Sequence, residues 1–122
     1  MRHKILVIDD DQSFLEAIKQ AFLSEKYEVM TARSGRDGLQ QALAFHPDIV
    51  ILDIMMPEMD GYEAIHEIRK DSRFTSTPVI ALTAKAMKED RQKCLDAGAS
   101  DYISKPIDIT KLLSLLRIWL KK

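Results

Sequence analysis

The sequence has little of what staples, anchors or targets a chain. Its single cysteine, Cys94, cannot form an internal disulfide. No run of 18 apolar residues occurs, so hydropathy offers no membrane-spanning helix. Four glycines and four prolines are scattered through 122 residues without a repeat, a low-complexity stretch or a linker. Neither sign of charge prevails. Eighteen Lys+Arg stand against 19 Asp+Glu, a net charge of −1, which argues against a general nucleic-acid or membrane-surface binder. The opening Met1-Arg2-His3-Lys4 leads straight into Ile5-Leu6-Val7-Ile8 with no signal-peptide cleavage pattern, so a reducing cytoplasmic location is the expectation. What remains, 122 residues that are 46% hydrophobic, suffices for one domain spanning residues 1–122 with its own core.

Five short apolar runs rich in Val and Ile punctuate the chain, at residues 5–8, 27–32, 49–52, 79–82 and 102–103. Hydrophobicity in the first, third and fourth is continuous rather than alternating, as in strands covered on both faces of a parallel sheet. Helical periods lie between and after them. Phe14, Ile18, Ala21 and Phe22 share one stripe, and Ser34 with Asp37 opens a second helix that must end by Pro47. A third helix is predicted over 61–71 and a fourth over 85–97, with Gly98 placed to cap it. The fifth runs from 108 onward, with Ile109, Leu112, Leu113, Leu116 and Leu120 on one face. The pattern predicts an α/β domain with a five-stranded parallel sheet and helices on both faces, for which the flavodoxin-like doubly wound order 2-1-3-4-5 is taken as the expected topology.

That order puts the first and third strands side by side at the topological switch point, where ligands bind beyond the carboxyl ends. Asp9, Asp10 and Asp11 follow the first strand and Asp53 the third, so Asp9, Asp10 and Asp53 converge on one crevice. The fourth strand ends in Thr83, and Ser104, Lys105 and Pro106 follow the fifth. Three carboxylates and one ammonium sum to −2, and a hard divalent cation with oxygen ligands is the natural neutraliser. If Asp53 became an acyl phosphate carrying roughly −2, the total without metal would fall to about −3, so phosphoryl transfer there would depend strongly on metal. Asp11 reads equally well as a helix cap.

The segments Ile5 to Asp11, Asp53-Ile54-Met55-Met56-Pro57-Glu58-Met59-Asp60-Gly61, Ala81-Leu82-Thr83-Ala84 and Tyr102-Ile103-Ser104-Lys105-Pro106 together resemble the receiver domain of two-component response regulators. The resemblance implies a phosphoprotein switch rather than a turnover enzyme, with Asp53 as phosphoacceptor. It implies Mg²⁺, with Mn²⁺ as a substitute, held by Asp9, Asp10, Asp53 and the backbone carbonyl of Met55. Thr83, Ala84 and Lys105 would contact the phosphoryl oxygens, Thr83 and Tyr102 would form the switch pair, and Lys105-Pro106 matches the family's cis-peptide position. Implied partners are a sensor histidine kinase or histidine phosphotransfer protein, and a downstream protein effector on the surface of the fourth helix, fifth strand and fifth helix. A second copy of the chain on activation is a further implied partner, and neither nucleic acid nor membrane is. Met55 and Lys85 occupy the two variable positions that tune phosphoryl lifetime, and neither side chain can orient a hydrolytic water, so slow autodephosphorylation is expected.

Other readings compete. A flavin carrier of this fold needs a phosphate-cradling loop after the first strand, where this chain has acids. An aspartyl-nucleophile phosphatase needs DxD[TV] there, where Asp11 is followed by Gln12-Ser13. A receiver-shaped interaction module that is never phosphorylated is the remaining alternative, disfavoured because every chemical position is filled. The fourth helix is thinly apolar, with Met87, Cys94 and Leu95 expected to face inward, which suits a helix that shifts on activation. Leu115 and Ile118 fall outside the fifth helix's inward stripe and Trp119 lies at its edge, so the three are candidates for a partner surface. Cys94 reads as helix packing, His3, His46 and His66 as remote from the acids, and Lys121 and Lys122 as complements to a helix dipole. No output domain is expected, which fits a stand-alone receiver or one excised from a hybrid kinase or larger regulator.

Overall fold

The apolar runs become five parallel strands in a computed structural model that describes residues 2–55, 61–83 and 88–120. In chain order the elements are β1 (Lys4–Ile8), α1 (Gln12–Ser24), β2 (Glu28–Ala32), α2 (Gly35–Phe45), β3 (Ile49–Asp53), α3 (Gly61–Lys70), β4 (Val79–Thr83), α4 (Lys88–Ala97), β5 (Asp101–Ser104) and α5 (Ile109–Leu120). The sheet order is β2-β1-β3-β4-β5, the doubly wound order expected. Motif residues 56–60, together with Ala84, Lys85, Met87, Lys121 and Lys122, lie outside the described residues.

The continuous hydrophobicity of the inner strands has a direct physical reading. Successive side chains on a strand point to opposite faces. Leu6, Ile8, Val50, Leu52, Val79 and Ala81 therefore enter one core with Ala42, Ala64, Ile65, Ile68 and Cys94. Ile5, Val7, Ile49, Ile51, Ile80 and Leu82 enter the other with Leu15, Ile18, Phe22, Leu112 and Leu116. Each fully buried aliphatic side chain contributes roughly 1.5–3 kcal/mol of transfer free energy, so the two cores hold the sheet from both sides.

Local signals set the helix ends. Asp11 caps α1, its Oδ1 accepting from the Phe14 N–H at 3.2 Å. Ser34 caps α2, accepting from the Asp37 N–H at 3.1 Å, and His46 closes that helix in the left-handed region with φ 54° before Pro47. Gly98, at φ 112°, lets the chain leave α4, as a C-terminal glycine should.

Several expectations need correction. On α1, Leu15 is buried together with Ile18 and Phe22, whereas Phe14 and Ala21 are only half-buried, because the stripe lies one residue further round the helix. β2 starts at Glu28 rather than 27, since Lys26 (φ 65°) turns the chain and Tyr27 spends its N–H on Phe22 O at 3.2 Å. α3 stops at Lys70, because Asp71 becomes the cap of a short 3₁₀ turn and accepts from the Arg73 N–H at 2.9 Å. On α4, Cys94 is fully buried but Leu95 is 41% exposed. Adjacent helical positions diverge by about 100°, and a helix this polar turns only a narrow face inward. On α5, Ile118 is 54% exposed and Trp119, at the edge of the inward stripe, is half-buried as expected there, with its indole N–H donating to Asp101 Oδ2 at 3.1 Å. Trp119 is thus tied to β5 rather than left open.

Candidate functional site

β1 and β3 run in register, with Ile8 opposite Leu52, so the residues that follow them emerge side by side. Asp9 is fully buried, Asp53 nearly so, and Asp10 is exposed at the rim. One carboxylate oxygen from each of the three lies within 4.8 Å of the others. β4 pairs with β3 so that Asp53 lies opposite Leu82, and the Ile54 N–H donates to Leu82 O at 3.0 Å. Thr83 ends β4 at the same edge and is buried. β5 brings Lys105, whose backbone N–H donates to Thr83 O at 2.6 Å and whose peptide bond to Pro106 is cis.

The side-chain bonds divide these groups into held and unheld atoms. Asp9 Oδ1 accepts from the Asp11 N–H at 2.9 Å, and Asp53 Oδ1 accepts from the Met55 N–H at 3.0 Å. Lys105 Nζ donates to Asp53 Oδ2 at 3.1 Å and lies 3.4 Å from Asp9 Oδ2. Asp9 Oδ2, which has only the Lys105 ion pair, and Thr83 Oγ1 are buried without a hydrogen-bond partner. A buried polar atom without a hydrogen-bond partner is costly, and a ligand bound at these strand ends would supply one. The Met55 side chain is 68% exposed, so it contributes nothing to the crevice interior.

Electrostatics agree with this geometry. Burial raises the Asp9 carboxyl above its ordinary value, the Asp11 N–H and Lys105 oppose this, and the neighbouring Asp53 charge adds to it. Burial pushes the Lys105 ammonium down, but its hydrogen bond and attraction to Asp53, with Asp9 adding, leave it above the ordinary lysine range. Lys105 is therefore a fixed cation at neutral pH. One cation against three clustered carboxylates leaves the deficit of two charges that the sequence predicts. Three oxygen donors, one of them buried without a hydrogen-bond partner, fit a hard divalent cation.

Other sequence assignments fall as follows. Tyr102 is half-buried on β5 against the core that contains Leu6 and Ala81. Asp11 serves α1 as its cap and does not join the acidic cluster. A cavity of about 690 Å³ lined by His3, His46, Arg73 and Trp119 lies at the amino ends of the strands, the edge opposite the acids. His3 there is 3.9 Å from Asp48. Two neighbours of the crevice escape sequence reading. Gly61 packs on the backbone that follows Asp53, its N–H donating to Ile54 O at 2.9 Å. Phe14 sets its ring beside Lys105. A ring one helical turn after an acidic strand end was the available signal for the second.

A doubly wound sheet with carboxylates, a hydroxyl and an ammonium gathered at its switch point defines a receiver. The chain matches the family model "Response regulator receiver domain" over residues 5–117 and belongs to that family. It is 40% identical over 119 residues to the response regulator ArlR of Staphylococcus aureus, an overlap of 98% of this chain and 53% of that protein. The chain thus spans about half the length of the curated relatives it matches. Among solved structures it resembles the chemotaxis protein CheY4 of Vibrio cholerae, with a TM-score of 0.93, 31% identity and coverage of 97% and 98% of the two chains. It also resembles the receiver domain of the sensor histidine kinase PA1611 of Pseudomonas aeruginosa, with a TM-score of 0.87, 33% identity and full coverage of both chains. That structure is described with a magnesium ion coordinated in its active-site cleft.

Proposed function

We propose that this chain is a phosphoacceptor switch that receives a phosphoryl group from a phosphohistidine onto Asp53 with Mg²⁺. The observation that carries the proposal is the convergence of a buried carboxylate, a second buried carboxylate, a fixed ammonium and a buried hydroxyl at one sheet edge. In the transfer, an Asp53 carboxylate oxygen attacks phosphorus, the new O–P bond forms as the N–P bond breaks, and the imidazole leaves with the electron pair. Asp9, Asp10, Asp53 and the Met55 carbonyl would hold Mg²⁺, which when bound neutralises the charge that builds on the phosphoryl oxygens. The magnesium described in the PA1611 receiver supports this assignment. Lys105 pairs with one phosphoryl oxygen, and the Thr83 hydroxyl donates to another. Ala84, assigned to the same oxygens, lies outside the described residues.

Drawing the Thr83 hydroxyl toward the phosphoryl group vacates space that Tyr102 turns to fill, and so changes the α4–β5–α5 surface. The groove there is lined by Ile103, Thr110, Lys111, Ser114, Leu115 and Ile118, and is the surface assigned to an effector or a second copy. A histidine kinase or histidine phosphotransfer protein is the donor. Met55 offers no side chain to orient water, so the phosphoryl group is long-lived. Incubation with acetyl phosphate and Mg²⁺, followed by intact mass, tests the central claim. One phosphoryl adduct is expected on the wild type and none on Asp53→Asn. A folded wild type without an adduct refutes the proposal and leaves the unphosphorylated interaction module in its place.

A further inference from the structure

We infer that Phe14 is a positioning residue that walls the Lys105 ammonium into the crevice, an inference that rests on the phosphoacceptor reading above. Lys105 Nζ lies 5.9 Å from the centroid of the Phe14 ring, within the range where the electron-rich face of an aromatic ring attracts a cation. The two ends of this contact are fixed differently. The Phe14 backbone is held in the first turn of α1 by its own cap, because the hydrogen bond that Asp11 Oδ1 accepts comes from the Phe14 N–H. Its ring is half-buried and packs on the core beneath α1 and α5. The Lys105 backbone is held by its bond to Thr83 O, but its side chain is 35% exposed and carries four rotatable bonds before the charge.

The carboxylates alone do not define one place for that charge. Asp53 Oδ2 at 3.1 Å and Asp9 Oδ2 at 3.4 Å compete for it, and Asp53 is the group that phosphorylation alters. A neutral ring attracts the ammonium without adding a negative charge to the crevice and is unchanged by the reaction. It therefore keeps Lys105 at the site while the ammonium's anionic partner changes from carboxylate to phosphoryl oxygen. Phe14 lies on α1 close to the crevice, so its test uses a donor too small to dock on a helix.

The experiment has two arms on the full chain. In the first, ¹³C-lysine labelling follows the Lys105 ε-methylene protons in unphosphorylated protein, assigned by their loss in Lys105→Met. The ring should shift them upfield, Phe14→Leu should return them toward the ordinary lysine position, and Phe14→Tyr should retain the shift. In the second, the rate of adduct formation from acetyl phosphate and Mg²⁺ should fall two- to fivefold in Phe14→Leu, about 0.4–1 kcal/mol at 1.36 kcal/mol per tenfold. Phe14→Tyr should restore it, and in a Lys105→Met background Phe14→Leu should cause no further loss. Unmoved ε-methylene protons in Phe14→Leu overturn the inference. So does equal slowing by Phe14→Leu in both backgrounds, which would mark a general packing effect. A wild type that takes up no phosphoryl group overturns the phosphoacceptor reading and the kinetic role with it, while the first arm still decides whether the ring holds the ammonium.

Discussion

Substituting Gly61 by Ala adds one methyl group at the place where the fold leaves least room for it. A β-carbon there would sit 2.4 Å from Ile54 Cα, 2.7 Å from Asp53 O and 2.8 Å from Ile54 Cδ1. Non-bonded carbons reach their optimum near 3.5–4.0 Å, so the overlap with Ile54 Cα exceeds 1 Å. Two of the three atoms are backbone, and they belong to the phosphoacceptor strand end, so relief requires moving that strand end or α3. Overpacking of this kind costs about 1–3 kcal/mol, and the better helix propensity of Ala returns less than about 1 kcal/mol. We expect a net loss of about 2 kcal/mol, which for a domain of this size lowers the midpoint of thermal unfolding by about 6–10 °C. The displaced strand end carries Asp53, so Mg²⁺ affinity should fall several-fold as well. Calorimetry and a Mg²⁺ titration of the two proteins read both effects. A midpoint within 1 °C of the wild type with unchanged Mg²⁺ affinity would refute the packing argument.

Arg69 gives a second test, of stability alone. Its guanidinium donates to Gly98 O, Phe74 O, Thr77 O and Ser100 Oγ, tying α3 to the end of α4 and to the starts of β4 and β5. Arg69→Met removes four donors and should cost about 2–4 kcal/mol by denaturant unfolding, with acetyl-phosphate labelling of the folded protein retained; a loss under about 0.5 kcal/mol would contradict it. Asp71 supplies a pH test. The Arg73 guanidinium and N–H hold its carboxyl down to about 2, against an ordinary value of 3.8. A depressed carboxyl pKa stabilises the fold above the unfolded value and loses that contribution as pH falls through the folded one. The Asp71→Asn difference in unfolding midpoint should therefore be small, present at neutral pH and fading from 3.8 towards 2. An NMR titration of Asp71 with a midpoint at 3.8 or above would contradict the pairing.

Much of this molecule is legible in one dimension because its physics is local or periodic. Ile5 to Ile8 and Ile49 to Leu52 read as doubly covered strands because every residue must be apolar when both faces are buried. Once the sheet order follows, Asp9, Asp10 and Asp53 are bound to meet, since strand ends are where a parallel sheet can offer side chains to one edge. Ser34 and Asp11 announce their helices through bonds that span three residues. The errors are of the opposite kind. Helical phase fixes relative angles but not how far a polar helix rolls, which leaves Leu95 exposed, nor does it show that Asp101 accepts from the Trp119 indole N–H.

The sequence by itself determined the order of strands and helices, the two apolar faces of the sheet and the set of acids at its switch point, because alternation, capping and strand-end position depend on neighbours a few residues apart. Tertiary structure alone decided which atoms are held and which are left unpartnered: Lys105 between Asp53 and Asp9, the Phe14 ring beside that ammonium, and Gly61 pressed against the backbone of Ile54. The Lys105 relations join residues far apart in the chain, and that of Gly61 sets α3 against the end of β3, all at separations of a few ångströms. Sub-ångström packing of that kind follows from how whole elements settle on a common core, and no local pattern encodes it.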